Sequence, residues 1–216
     1  MRDTQGLDTS PPRAHNIEMG GALDLPGSPA SCLSPKLMLR LDRFRRAQDD
    51  PHAGFEQALE EIQSGRKRGH WIWYVLPQLD GLGMSSMARA YAIDGEAEAA
   101  AYLRDRELRG RLLTIMRAVA EQLSAGNPAG GGQRTLRLSA LMGSEIDAKK
   151  LVSSMTLFAE VAKRLAAEHS MSDAGGSDDA KDYASMVSTA NQVLTIASSQ
   201  GYPPCAFTRR ELGTAD

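Results

Sequence analysis

Long apolar runs, clustered cysteines and a dominant charge are all missing from this 216-residue sequence, and each absence closes off a class of protein. The longest compact apolar run, 71-WIWYVL-76, falls far short of the roughly 18 residues that a membrane-crossing helix needs, so no membrane partner is expected. Cys32 and Cys205 are far apart and outside any Cys-x-x-Cys or Cys/His spacing. That argues against a disulfide framework or a zinc site and for a reducing, cytoplasmic setting. His15, His52, His70 and His169 are scattered without a two-histidine metal spacing, so neither a metal nor a cofactor is expected. A formal net charge of -2 exerts no overall pull on nucleic acid, and any polyanion site has to be local. The first residues lack the apolar stretch of a secretory signal and carry acids that a transit peptide avoids. Aromatics make up 5% of the chain, yet both tryptophans fall inside one stretch, 66-RKRGHWIWYVLPQLDGLG-83. That stretch is the first place to look for a site.

What is present is helical periodicity. Residues 1–35 hold five prolines among Gly, Ser and Asp without a sustained period and read as a disordered tail. The segments 124–133 and 170–182 have loop composition. Between these breaks, Leu37, Leu41 and Phe44 open a helix that should end near Pro51, and Phe55, Leu59 and Ile62 mark another that stops at Gly65. Leu108, Leu112, Ile115, Met116, Val119 and Leu123 keep a 3.6-residue period, as do Tyr183, Met186, Ala190, Leu194 and Ala197. Asp94 and Asp147 are expected as N-caps, and Thr208 with Glu211 has capping-box spacing. The pattern predicts an all-α fold, a single compact multi-helix globular domain over residues 36–212.

The tryptophan stretch is ambiguous by period. On a strand Trp71, Trp73 and Val75 share a face, whereas on a helix Trp71 and Trp73 lie about 200° apart. A lone strand would leave its ladder unpaired in a helical protein, so a buried helix ended by Pro77 is favoured. It turns Trp71 and Val75 to the core and His70, Trp73, Tyr74 and Pro77 to another side.

Several of these residues carry a resemblance. Phe44-x-x-Ala47-Gln48, Phe55-x-x-Ala58-Leu59, the run Gly65-Arg66-Lys67-Arg68-x-His70-Trp71-Ile72-Trp73-Tyr74-x-x-Pro77-Gln78-x-x-Gly81-Leu82-Gly83-x-Ser85, and 153-SSMTLF-158 resemble domain of unknown function 1810. The resemblance runs from about residue 37 to about 200 and implies an all-helical fold, with no established activity. The calpastatin-like label sometimes attached to the family does not suit a compact helical pattern. Asp105-Arg106 and 108-LRGRL-112 depart from the family's His-Pro and Leu-Gly-x-Arg-Leu, an altered turn between two helices.

The candidate ligand-binding residues are Lys67, His70, Trp73, Gln78, Ser85, Asp147, Lys150 and Ser154. A cation, a stacking surface and an amide around His70 suit a planar, small anionic or nucleotide-like ligand. Each has a plainer reading: packing for the tryptophans, a helix cap for Ser85, and back-bonding to a helix carbonyl for Ser154. Laid on a helix, Ser154 falls inside the apolar stripe of Leu151 and Phe158, while Ser153 and Thr156 fall on the far side. The expectation is that the HWxW and SSMTLF motifs face each other across a cleft. An enzyme built there would use His70 as general acid or base, Asp147 to orient it and Lys150 to hold an anionic group. The alternative is a non-catalytic protein or nucleic-acid interaction module on a basic face of Arg40, Arg43, Arg45, Arg46, Arg66, Lys67 and Arg68. Local ion pairs with Asp42, Glu56, Glu60 and Glu61 would neutralise that face and are the favoured outcome, so nucleic acid is a disfavoured partner.

Overall fold

The structure, a computed structural model, describes residues 35–125, 136–171 and 177–214. All of them belong to one unit, Leu33–Asp216. They form ten helices: α1 Pro35–Gln48, α2 Phe55–Gln63, α3 Ile72–Val75, α4 Ser86–Ala90, α5 Gly95–Arg104, α6 Arg106–Ala125, α7 Leu138–Leu141, α8 Glu145–Met171, α9 Asp178–Ser199 and α10 Ala206–Glu211. The all-α expectation holds for the described residues, whose β content is one isolated parallel bridge between Leu79 and Ile93. The expected tail lies outside them apart from Pro35, as does most of the 124–133 loop. Part of the 170–182 stretch is helical: α8 continues to Met171 and α9 starts at Asp178, capped by the Ser177 hydroxyl.

α8 is the hub. It packs against α9, α5, α10, α7 and α3, and its nine consecutive side chains from Leu151 to Ala159 are all buried. The helical-wheel reading allowed it one apolar stripe. Ser153 and Thr156 are enclosed as well, because the segment leading into α10 covers that side. Small hydroxyl side chains let neighbouring backbone come close, and Thr156 satisfies its own donor on Val152 O at 2.8 Å.

α1 and α5 enclose the other end of the core. Phe44 meets Tyr102 edge-on at 5.2 Å between ring centroids, and Tyr102 in turn meets Phe158 of α8 at 5.2 Å. Gln48 donates from Nε2 to Tyr74 O at 2.7 Å and to Tyr102 Oη at 3.0 Å, tying α1 to α3 and α5. Two capping expectations are corrected. The carboxylate that accepts the Asp94 N–H is that of Glu98, at 2.6 Å, and Asp94 makes no side-chain cap. Thr208 lies inside α10 instead of opening it.

The altered turn between α5 and α6 has a clear physical basis. Asp105 accepts the Leu108 N–H at 2.9 Å as a helix cap and pairs with Arg45. Arg109, 1% exposed, donates to Leu103 O at 3.0 Å and to Asp182 at 3.0 Å, pairs with Asp179 and lies 5.4 Å from the Tyr183 ring. It holds the start of α9 against the α5–α6 corner.

Glu98, 2% exposed, receives Arg40 at 3.0 and 3.1 Å and Arg43 at 2.8 Å. Glu98→Ala should cost about 3 kcal/mol in urea unfolding, because two arginines and the Asp94 N–H lose one shared acceptor.

Candidate functional site

In the segment from Arg66 to Leu76 the expected buried helix before Pro77 is present but short. Only Ile72–Val75 makes a helical turn, with Trp71 at its N-cap position, and residues 66–70 wrap around the Glu61 carboxylate. Glu61 accepts the Arg68 N–H at 2.7 Å, the Gly69 N–H at 2.8 and 3.0 Å, Trp71 Nε1 at 2.8 Å and Gln57 Nε2 at 3.1 Å. A continuous helix would have consumed those N–H groups internally. Gly69 is needed here because a Cβ on it would stand 3.0 Å from both Glu61 Oε1 and the Trp71 ring. Burial pushes the Glu61 carboxyl up, but these hydrogen bonds outweigh it and hold the group below its usual range.

The division of the tryptophans follows the expected faces even though the helix is short. Trp71 and Val75 are buried in the core. Trp73 is half-buried, and His70 stands exposed before the turn. Tyr74 is buried, donates to Ala53 O at 2.7 Å, and has its phenol pushed up to about 12, chiefly by burial. Gln78 is half-buried, and its carbonyl accepts the Ile93 N–H at 2.8 Å in the isolated bridge.

Four of the eight candidates come together at the seam between this segment and the first turn of α8. Lys67, 7% exposed, places Nζ 2.7 Å from Asp147 Oδ2 and donates to Gly69 O at 2.6 Å. Lys150 Nζ lies 2.9 Å from Asp147 Oδ1 and 4.6 Å from the centroid of the Trp73 ring. Two ammonium groups thus share one carboxylate beside a half-buried indole. Asp147 is not the helix cap: Ser144 Oγ accepts the Asp147 N–H at 3.0 Å, and the aspartate sits in the first turn, where negative charge suits the helix end. Burial raises its carboxyl, and hydrogen bonds from Lys67 and Lys150 more than offset this. Gly143, at φ 75°, keeps the seam closed, since a Cβ there would be 2.8 Å from Lys67 O.

The other candidates lie elsewhere. Ser85 caps α4 by accepting the Ala88 N–H at 3.1 Å. Ser154 is fully enclosed within α8, and its hydroxyl has no hydrogen-bond partner. Part of the basic face is spent on internal pairs: Arg40 with Asp94 and Glu98, Arg43 with Glu98, and Arg45 with Asp42 and Asp105, while Arg46, Arg66 and Arg68 are exposed. Apart from Asp42, these partners come from α5 and the residues flanking it at both ends, not from the glutamates next in sequence. Sequence reasoning missed Glu61, which looks like the solvated half of a Glu-Glu pair, and Ser144, which sits one position before the helix.

The family described as Protein of unknown function (DUF1810) matches residues 38–174, from α1 through the whole of α8. The chain belongs to this family. The DUF1810 span contains the Glu61 wrap and the Lys67–Asp147–Lys150 seam, and it ends before α9. A solved structure extends the likeness: the conserved hypothetical protein Rv1873 from Mycobacterium tuberculosis is 30% identical, with a TM-score of 0.53 over 80% of this chain and 96% of that one. No match was found among curated proteins.

Two measurements test the seam. Asp147→Asn should cost about 3 kcal/mol in urea unfolding by stranding Lys67, while Lys150→Ala, removing a partly exposed partner, should cost less than about 1 kcal/mol. Glu61 and Asp147 bind protons less tightly when folded than when unfolded, so the unfolded chain takes up protons first as the pH falls. Their contribution to stability is complete above the unfolded carboxyl pKa of about 4 and is lost as acid is added below it. Glu61→Gln and Asp147→Asn should each flatten the acid limb of a melting temperature against pH curve.

Proposed function

We propose that the protein recognises a small anionic, nucleotide-like ligand at the seam of Lys67, Trp73, Asp147 and Lys150, with His70 at its exposed side. The observation that carries this reading is the placement of the Lys150 ammonium over the half-buried Trp73 ring while it shares Asp147 with Lys67. Two cations against one anion leave a local positive charge, and the indole offers a flat surface for a ring. Lys150 is a long, partly exposed side chain with one close carboxylate among the described residues. An incoming phosphate can draw its ammonium off the indole, and the ring of the same ligand can take the vacated face. Lys67 is held too tightly to move and fixes the geometry of the carboxylate. This reading leaves Ser85 to helix capping, Ser154 to packing and Gln78 to the bridge. It places the protein in the cytoplasm, where anionic metabolites are abundant. The commitment of Arg40, Arg43 and Arg45 to carboxylates weighs against the nucleic-acid module.

Titration with adenosine monophosphate, and separately with inorganic phosphate, should raise the melting temperature, with about 2.7 kcal/mol of added stability at 100 times the dissociation constant. Tryptophan fluorescence should change with the nucleotide and lose that response in Trp73→Phe. Lys150→Ala should weaken both ligands. A shift that persists unchanged in both variants, or no shift with either ligand, would remove the assignment.

A further inference from the structure

The wrap of residues 66–69 around Glu61 also bounds a cleft of about 380 Å³ against the last turns of α2. Its lining includes Gln57, Glu60, Glu61 and Ser64 from the helix and its C-cap, and Arg66 and Arg68 from the wrap. Backbone hydrogen bonds fix the stretch that carries the two arginines. The Arg66 N–H donates to Glu61 O at 3.0 Å, the Lys67 N–H to Leu141 O at 2.7 Å and the Arg68 N–H to Glu61 Oε2 at 2.7 Å. Lys67 turns to Asp147 and takes no part in the lining, while the arginines on either side of it both reach the cleft. The volume lies at the lower end of the range of small-molecule sites.

The charges around this cleft are set apart instead of paired. Among the described residues, Arg66 and Arg68 are exposed and meet no carboxylate, and Glu60 is exposed and meets no cation. Glu61 differs, because the Arg68 and Gly69 N–H groups, Trp71 Nε1 and Gln57 Nε2 already fill its lone pairs. Glu60 stands in the last turn of α2, the end of a helix that favours a cation, and no basic residue of that turn balances it. Two guanidinium groups and two carboxylates cancel, so the cleft exerts no net pull on a dianion such as phosphate, which would also meet Glu60. It matches a molecule of zero net charge whose own charges are separated.

We propose that this cleft is a binding site for zwitterionic dipeptides. The terminal carboxylate docks on Arg66 and Arg68, whose planar guanidinium groups donate paired hydrogen bonds to a carboxylate. The terminal ammonium pairs with Glu60, where the end of α2 adds to the attraction. Gln57 has its amide nitrogen committed to Glu61 and offers its carbonyl oxygen to the peptide N–H, while the Ser64 hydroxyl serves the peptide carbonyl. The backbone of the wrap is already fixed, so binding has to order side chains only, which lowers its entropic cost. These contacts are open to water, and the affinity is accordingly modest. The site is independent of the anion seam, since it uses none of Lys67, Trp73, Asp147 and Lys150.

The test is isothermal titration calorimetry on the full chain with three probes: L-alanyl-L-glutamine, its N-acetyl derivative, which lacks the ammonium, and its C-terminal amide, which lacks the carboxylate. The dipeptide should bind with a dissociation constant of roughly 1 mM or below, and each blocked form at least about tenfold more weakly, the loss expected for one charge-assisted contact. The double substitution Arg66→Gln with Arg68→Gln should abolish discrimination against the amide, and Glu60→Gln should abolish discrimination against the N-acetyl form. Lys150→Ala should leave all three affinities unchanged. The three substituted cleft side chains are exposed, so an unchanged melting temperature checks that each variant is folded. An N-acetyl form that binds as well as the dipeptide would reveal a plain anion site, and an amide that does so a plain cation site. Either result, dipeptide binding undiminished in the double variant, or no heat of binding at roughly ten times the expected dissociation constant would overturn the proposal.

Discussion

A helix whose side chains are enclosed on every side from Leu151 to Ala159 cannot stand at a protein's surface, and this requirement organises the rest of the chain. Five other helices pack against α8, and the Gly201–Cys205 segment covers the side that no long helix reaches. The hydroxyls of Ser153 and Thr156 are what make that cover possible, since an irregular segment brings backbone donors that must be satisfied, and Thr156 takes one of them. Two short features, the Trp71–Val75 turn and the α10 segment, are therefore parts of one enclosure.

Buried charge is used in the same economical way at three points. Glu61 collects backbone N–H groups and the Trp71 indole, Glu98 collects two arginines and a helix-end N–H, and Arg109 collects two aspartates and a carbonyl. Each has several partners, which is the condition under which a charge can be taken out of water without a large penalty. Each also joins elements that local helix propensity could not orient. Glu61 sets the path of the 66–71 segment, Glu98 fixes α1 on α5, and Arg109 fixes the start of α9. Hydrophobic burial supplies most of the stabilisation, and these groups add directional contacts between the elements they join.

Much of the fold was legible because it rests on periodicity. Leu108 to Leu123 and Tyr183 to Ala197 repeat every three to four residues, and both segments are helices with those residues buried. The tryptophan stretch was legible only in part. The faces of Trp71 and Val75 follow from spacing, but the length of the helix depends on Glu61, a residue from the preceding element whose acceptors outcompete the helical ladder. Capping was misread at Asp147 and Thr208 for a related reason. Both have the right side chain, but Ser144 and Cys205 come earlier at the points where the chain changes direction. Of the candidate residues, Lys67, Trp73, Asp147 and Lys150 do meet, whereas Ser154 is sealed and His70 is exposed.

The sharing of Asp147 by two lysines has a consequence for how the two motifs communicate. One carboxylate cannot serve both cations fully, so whatever draws Lys150 away leaves its charge to Lys67 alone. Lys67 is bonded to the Gly69 carbonyl, and the Gly69 N–H is bonded to Glu61. Three polar contacts thus connect the exposed edge of α8 to the anchor of the Trp71 core. The seam links a partly exposed lysine to the interior through side chains and one loop, with Asp147 as the shared joint.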